Sequence, residues 1–404
     1  MKYKPKRYYI KTLGCQANVV DSGTMAGILN SLGFEAEKND GKYKNETEEL
    51  LDILPKIDLF IINTCSVRQK SEDKVYGLGK VFAELKKTGE KLPFVIISGC
   101  MVGSATGERK RAKLKTLKDR TPWSDYYMNP SQIFDLPNVL KQGKLLGEWV
   151  NKKFDIKDVE TVQFEDKQGF INISNGCDNF CTFCVVPYAR EHEVSRSEKE
   201  ILMEAKHLAE RGYKNIMLCG QNVNSWGLSR SEKFNIRSGS NQKLPFADLL
   251  RSMCGLEGLE KIEFISSNPF DFTKDLVDAI KHPKISNYFH IAVQSGNNEV
   301  LEKMNRRHTI EEFISLVEEL KKAKPNVEIG TDIIVGFPGE TREQFMDTVK
   351  LFEKVTFNVA FISIYSTREG TVAQKTMEDD VSLKEKKWRH DYLSNVWKKS
   401  KEKN

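Results

Sequence analysis

From Phe170 to Tyr365 the chain alternates strand-length apolar runs with helix-length amphipathic ones, and no other feature limits its fold so tightly. The runs are Phe170–Ser174, Asn215–Cys219, Ile262–Ser266, His290–Val293, Glu328–Val335 and Val359–Tyr365. Helical patterns stand between them at Glu198–Arg211, Phe246–Met253, Lys274–Lys281, Ile310–Lys322 and Thr341–Lys354. Strands joined through helices run parallel, and a parallel sheet is covered on both faces. Six strands spaced this way predict a partial (β/α)6 barrel of the TIM type rather than an open sheet. Gly227–Lys243, rich in Ser, Asn, Arg and Lys, reads as a long loop.

The first third is written in the same grammar. Tyr8–Leu13, Leu59–Asn63 and Phe94–Ser98 are apolar runs, and helical patterns follow the first two at Ser22–Leu32 and Ser71–Lys87. Asp40–Glu48 reads as a surface loop, and the charged stretch Val150–Gln168 as a domain boundary. The chain is therefore α/β throughout. An N-terminal parallel-sheet domain is expected over residues 1–150, the barrel over 163–380, and a basic helical tail over 381–404.

Composition narrows the setting. With 39% hydrophobic and 30% charged residues the chain has the make-up of a soluble globular protein. No apolar stretch approaches the roughly 20 residues of a membrane span. The N-terminus MKYKPKRYYIKTLGC lacks the apolar core of a signal peptide, so a cytoplasmic location with no membrane association is expected. Eight cysteines in a long chain with reduced thiols point to metal or redox chemistry before disulfides. The net charge of +6 is small for 404 residues, but two runs are strongly basic. One is Arg109–Arg111 with Lys113, Lys115, Lys118 and Arg120. The other comprises Lys384, Lys386, Lys387, Arg389, Lys398, Lys399, Lys401 and Lys403. Each alone reads as a solvated helix face; together they raise the prospect of phosphate contacts that weaken with salt.

Cys177, Cys181 and Cys184 form a C-x₃-C-x₂-C triplet directly after the first barrel strand. Three thiolates can hold three corners of a four-iron cluster and leave one iron open for a ligand, as four-cysteine electron carriers do not. A zinc site would want a second ligand pair nearby, and none follows. Cys15, Cys65 and Cys100 each close a predicted strand, in YYIKTLGC, LFIINTC and FVIISGC. The C-terminal ends of parallel strands share one edge of the sheet, so the three can converge. The bland alternative is three separate buried cysteines. Cys219 and Cys254 read as core.

Strand ends of a barrel gather around one site. There stand Gly220, Gln221 and Asn222, then Ser266 and Ser267, then Gln294 and Ser295, with Asp332 a little earlier on its strand. Amides and hydroxyls suit a ribose and a carboxylate; an acid suits an amine. Singly each is ordinary turn chemistry. Phe183, beside the last cysteine, can shield a cluster or stack on a nucleoside. The turn Gly336–Glu340 reads as structural, and Arg190 and Arg196 as carboxylate or phosphate binders or as solvated side chains.

The stretch GCDNFCTFCVVPYAREHEVSR at Gly176 resembles the radical S-adenosylmethionine superfamily, in particular the methylthiotransferases that act on tRNA. The resemblance runs from TLGCQAN at Thr12 to YSTREGT at Tyr365. It implies that S-adenosylmethionine binds the open iron and is split to a 5′-deoxyadenosyl radical. It further implies a second 4Fe–4S cluster on Cys15, Cys65 and Cys100, which carries the sulfur group, with Asn18, Asp21 and Arg68 steadying it. Cofactor contacts are then expected from Phe183, Gln221, Asn222, Ser266, Gln294 and Asp332. GCQAN, NTCSVRQKSEDKVYG, CVVPYAREHEVSR and GQNVNSW are most similar to the members that modify carbon 2 of isopentenylated adenosine beside the anticodon. Threonylcarbamoyladenosine in tRNA and a ribosomal-protein aspartate are the alternatives within the family, and an iron–sulfur electron carrier or metal-binding nucleic-acid protein the non-enzymatic one. Implied partners are tRNA, a reducing partner and a sulfur donor, and a monomer is the working expectation.

Three departures stand out. Glu191 replaces a usual glycine and Asn268 a common histidine, and no counterpart of the family's small RNA-gripping β-barrel domain is expected in the residues after the barrel. Trp388, Tyr392 and Val396 recur at helical spacing in the tail and predict a face packed on the barrel.

Overall fold

The computed structural model describes residues 5–39, 41–67, 69–147, 150, 153–155, 159–165 and 167–402. Asp40, Arg68 and Lys403, named above, lie outside the described residues, as do parts of Val150–Gln168. The chain divides into two compact units, Met1–Phe164 with Val185–His192, and Glu165–Cys184 with Glu193–Asn404.

The first unit is built on five parallel strands: β1 (Arg7–Leu13), β2 (Glu35–Ala36), β3 (Leu59–Thr64), β4 (Phe94–Gly99) and β5 (Tyr126–Met128), in the order β2-β1-β3-β4-β5. Alternate side chains divide between two cores. Phe60, Ile62, Val95 and Ile97 pack with Leu50, Val81, Phe82 and Leu85 on one face. Leu59, Ile61, Ile96 and Met128 pack with Met25, Ile28, Leu136 and Leu140 on the other. Both faces being covered, β3 is buried along its whole length, which is why its sequence is a continuous apolar run.

Helix boundaries differ from expectation for local reasons. The helix after β1 starts at Gln16 rather than Ser22, because Cys15 and Asn18 cap it reciprocally. The run expected at Ser71–Lys87 is two helices, Gln69–Gly77 and Gly79–Lys87. A helix, Glu46–Ile53, begins inside the expected loop Asp40–Glu48, since the Asn45 side chain accepts from the Glu48 amide and closes its first turn.

The second unit carries β6 (Gln168–Asn172), β7 (Ser174–Asn175), β8 (Val194–Ser195), β9 (Asn215–Cys219), β10 (Lys261–Phe264), β11 (Tyr288–His290), β12 (Glu328–Val335) and β13 (Val359–Ile364). Parallel sheets β6-β9-β10 and β11-β12-β13 are joined by the bridges Ile262↔Ile285 and Ser267↔Ile291. Six strands thus follow one another around a partial barrel whose outer side chains, among them Ile171, Leu218, Phe264, Phe289 and Ile333, share one core with the surrounding helices. β7 and β8 pair antiparallel and close the neck of the cysteine loop.

Two further expectations are corrected. Gly227–Lys243 is not all loop: Arg230–Asn235 is helical, started by a capping box between Ser229 and Glu232. The tail forms the helix Leu383–Glu402, and Val396 packs against the barrel core as expected, but the buried line is Lys386, Arg389 and Leu393 rather than Trp388 and Tyr392. Those two rings stay half in water, stacked on each other with centroids 5.1 Å apart and edge-on to Phe345. Within the described residues no helix is long and apolar enough to cross a membrane.

Candidate functional site

In the first unit, Leu13, Thr64 and Gly99 stand side by side at the ends of β1, β3 and β4. The next residues therefore leave the sheet at one level, and Cys15, Cys65 and Cys100 follow there. Gly99 is required: its φ is +94°, and a Cβ there would stand 2.3 Å from the Thr64 carbonyl oxygen. Beneath the cysteines lies a buried amide pair, Asn18 Nδ2 donating to Asn63 Oδ1 at 3.0 Å and Asn63 Nδ2 to the Asn18 carbonyl at 2.8 Å. Asn18 Oδ1 also accepts from the Cys15 amide at 3.3 Å, so the pair ties the first cysteine to β3.

Cys65 links the other two thiols. Cys65 hydrogen-bonds both Cys15 and Cys100, and these bonds, with burial, drive its thiol up. The same bond from Cys65 is the main cause that pushes Cys15 and Cys100 down to about 6, with the Arg190 charge adding to it. Arg190, buried in this unit, pairs with Asp21 at 2.5 Å and donates Nε to Cys100 Sγ at 3.4 Å. Asn63 escaped sequence reasoning, although an amide in LFIINT, two residues ahead of the cysteine, was a visible signal. Arg111 belongs to structure rather than to a basic face: it donates to Ser66 Oγ at 2.6 Å and to Ser104 Oγ at 3.1 Å.

In the second unit, Gly176 (φ +81°) turns the chain out of β7 into the loop of Cys177, Cys181 and Cys184. The loop is pinned from outside. Thr182 donates its amide to the Met304 carbonyl at 3.1 Å and its hydroxyl to the Lys303 carbonyl at 2.9 Å, and Asn305 holds the Asn179 and Phe180 carbonyls. Arg306 Nη1 donates to Cys181 Sγ at 3.5 Å. Burial, with Glu193 beside it, pushes the Cys177 thiol well up. Such a thiol is a poor ligand until a metal displaces its proton. Among the described residues no three His, Cys, Asp or Glu side chains are set as ligands of a metal ion. What the two triplets offer is three thiols each, gathered on loops at strand ends.

At the barrel mouth the polar residues sort into two groups. Asn222 is engaged with protein: its Nδ2 donates to Ser225 Oγ at 2.7 Å and Asp271 Oδ2 at 3.1 Å, and its Oδ1 accepts from Asn268 at 2.7 Å. Asn268, the departure from the usual histidine, is part of this network. By contrast Gln221 (both amide atoms), Ser267 Oγ, Gln294 Oε1 and Ser174 Oγ are buried without a partner. Ser266 and Gln294 also hold left-handed backbones, φ +66° and +74°. Unmet buried polar atoms cost free energy, and their gathering where strands end fits a polar ligand. Phe183 packs edge-on against Phe337, centroids 6.4 Å apart, beside Met304 and Tyr365. Asp332 sits inside the barrel, its Oδ2 2.9 Å from His290 Nε2, which in turn reaches Tyr288 through Nδ1 at 3.0 Å.

Residues 171–352 match the radical SAM superfamily and residues 7–119 the uncharacterized protein family UPF0004. A tRNA-2-methylthio-N(6)-dimethylallyladenosine synthase of Alkaliphilus oremlandii is 37% identical over 396 residues, 96% of this chain and 77% of that protein. The synthase of the same name from Syntrophomonas wolfei is 37% identical over 97% of this chain and 82% of that protein. The chain belongs to the tRNA-2-methylthio-N(6)-dimethylallyladenosine synthase family. Among solved structures the fold is shared with TsrM from Kitasatospora setae, a radical S-adenosylmethionine methyltransferase, at TM-score 0.60 and 15% identity, covering 92% of this chain and 77% of that one.

As a radical SAM enzyme of this synthase family, the chain works with a 4Fe–4S cluster and S-adenosylmethionine. The unpartnered atoms of Gln221, Ser267 and Gln294 suit the polar groups of that cofactor. Glu191, where the family's glycine is usual, has φ +64°, a conformation that explains the glycine. Its carboxylate compensates by accepting from the Glu108 amide at 3.2 Å and Asn129 Nδ2 at 3.4 Å. Arg196, read as a possible anion binder, pairs with Glu204 at 2.7 Å instead.

Proposed function

We propose that this chain attaches a methylthio group to carbon 2 of N6-isopentenyladenosine next to the anticodon of tRNA. The observation that carries this reading is the 37% identity to synthases of that product over nearly the whole chain. Residues 1–150 act as the methylthiotransferase domain and 163–380 as the radical core, with 381–404 a basic helical tail. Cys177, Cys181 and Cys184 hold the cluster that takes S-adenosylmethionine. Cys15, Cys65 and Cys100 hold a second.

When bound, the first cluster, given an electron by the reducing partner, would supply from one S-adenosylmethionine the radical that removes hydrogen from carbon 2; a second S-adenosylmethionine would supply the methyl group and the second cluster the sulfur. The protein contributes placement. Gln221, Ser267 and Gln294 meet the cofactor's polar groups, and Asn222 holds that strand end through Asp271 and Asn268. Ser266 sets the turn, Phe183 walls the loop of the first cluster with Phe337, and Asp332 faces the barrel interior with His290. The exposed lysines 110, 113, 115, 384, 387, 398, 399 and 401 supply phosphate contacts. A reducing partner and a sulfur donor complete the reaction, which sets it in the cytoplasm.

Anaerobic reconstitution with iron and sulfide, followed by incubation with dithionite as reductant, S-adenosylmethionine and isopentenylated tRNA, tests this, read by mass spectrometry of digested nucleosides. Methylthiolated isopentenyladenosine and 5′-deoxyadenosine are expected. Cys181→Ala loses both; Cys65→Ala keeps 5′-deoxyadenosine and loses the modified nucleoside. Modification of threonylcarbamoyladenosine in its place would overturn the substrate.

A further inference from the structure

Arg190 is 3% exposed, yet it is a full charge. Burying a guanidinium costs several kcal/mol unless it is paired and hydrogen-bonded, and a buried ion pair adds little stability over a well-packed apolar pair. The pairing is there: Nη2 meets Asp21 Oδ2 at 2.5 Å. Nε is turned elsewhere, donating to Cys100 Sγ at 3.4 Å. A guanidinium is not deprotonated in proteins, so the buried group is a cation.

The backbone is shaped to allow this contact. Arg190 ends the helical turn Val186–Ala189, its amide bonded to the Val186 carbonyl at 2.9 Å. That turn lies against the helix Cys100–Thr106, which starts at the ligand cysteine. The approach depends on Gly103, where a Cβ would stand 1.9 Å from the Ala189 carbonyl oxygen. Glu191 then takes a left-handed backbone and anchors its carboxylate to the Glu108 amide at 3.2 Å, just past the same helix. A forbidden side chain at 103 and a strained residue at 191 thus flank an arginine aimed at one sulfur.

We propose that Arg190 is a positioning residue that sets the reduction potential of a cluster held by Cys15, Cys65 and Cys100, through its Nε–H hydrogen bond to the Cys100 sulfur, with Asp21 orienting the guanidinium. This rests on the reading that those three cysteines hold a cluster. Hydrogen bonds to ligand sulfurs and nearby charge are the terms by which a protein tunes such a potential. A cation beside the thiolate favours the reduced, more negative state, so Arg190 raises the potential. Asp21 carries the opposite charge and partly offsets it.

The test uses the full chain with Cys177, Cys181 and Cys184 all changed to Ala, so that only the first unit can bind iron. After anaerobic reconstitution with iron and sulfide, iron is counted and the cluster's reduction is followed by EPR in a dithionite titration. If this parent binds no cluster, the assignment of the three cysteines fails, and the inference with it. If it does, Arg190→Met is expected to retain iron and shift the midpoint to more negative potential. Arg190→Lys keeps the charge without the Nε–H donor and should fall between the two. Asp21→Asn should shift the midpoint the other way, whereas a purely structural pair would move both variants alike. An unshifted midpoint in Arg190→Met with iron retained overturns the role. Should that variant lose its iron, a midpoint in Arg190→Lys equal to the parent's overturns it instead.

Discussion

Arg389 Nη1 donates to Glu340 Oε2 at 2.7 Å and to the Glu340 carbonyl at 2.8 Å, with neither side chain more than 4% exposed. The same Oε2 accepts from the Gly336 amide at 2.7 Å. One carboxylate therefore joins the tail helix to the turn that follows β12. Burial raises the Glu340 pKa, and the Gly336 amide and Arg389 oppose the rise. Arg389→Met strands that carboxylate and should destabilise the second unit by ~3–5 kcal/mol in urea unfolding. Glu340→Gln combined with Arg389→Met should recover most of the loss, because neither charge is then left alone.

Asp271 is wholly buried, and burial pushes its carboxyl up to about 6 despite the opposing Arg307 and Asn222. The folded pKa lies above the unfolded value of about 3.9, so the fold binds the proton more tightly. Its contribution to stability is fully present below about pH 4 and is lost as the pH rises to about 6. The natural chain should lose ~2–3 kcal/mol relative to Asp271→Asn over that interval, at about 1.4 kcal/mol per pH unit. Parallel curves for the two proteins between those pH values would refute the assignment.

In metal-free protein the exposed Cys15 is a thiolate at neutral pH, its pKa pushed down to about 6 chiefly by the hydrogen bond from Cys65. Iodoacetamide alkylation of Cys15, followed by peptide mass spectrometry, should rise with a midpoint near that value rather than near the ordinary thiol value of about 8.5. Cys254, whose thiol burial pushes up, should lag well behind it. Cys65→Ala removes the donor and should move the Cys15 midpoint upward.

Glu191 weighs backbone strain against two hydrogen-bond donors that its carboxylate helps to order. Glu191→Gly removes the left-handed strain and also the acceptor used by Glu108 and Asn129, and should change stability by less than about 1 kcal/mol. Glu191→Ala keeps the strain and loses the acceptor, so a loss of ~1–2 kcal/mol is expected. Thermal unfolding of the two variants beside the natural chain separates them.

Much of the scaffold was legible. Asn215–Cys219 and Glu328–Val335 are strands with the bounds the apolar runs imply, because parallel strands covered on one face and largely covered on the other keep most of their consecutive residues apolar. Cysteines at strand ends were legible for the same reason: the sheet edge follows directly from where each run stops. Helix starts set by side-chain caps were missed at Asn45 and Ser229, since a cap is one hydrogen bond and leaves no periodicity. In the tail, spacing singled out Trp388, Tyr392 and Val396; Val396 does pack on the barrel core, but the buried line is Lys386, Arg389 and Leu393, because partners for the two charges wait at Asp379 and Glu340.

The sequence by itself determined the two kinds of sheet, the residue types at their ends and the two cysteine triplets. Local pattern suffices there, as each depends on neighbours a few positions away. Only the tertiary structure decided which polar residues are spent on the protein and which are left without a protein partner. Asn222 and Gln221 are adjacent and similar in kind, yet one is saturated by Asp271, Ser225 and Asn268 while the other has both amide atoms buried and unmet. It likewise decided that Arg190 meets Asp21, 169 positions away, and the Cys100 sulfur. Partnership at such separations is set by packing, which no local pattern records.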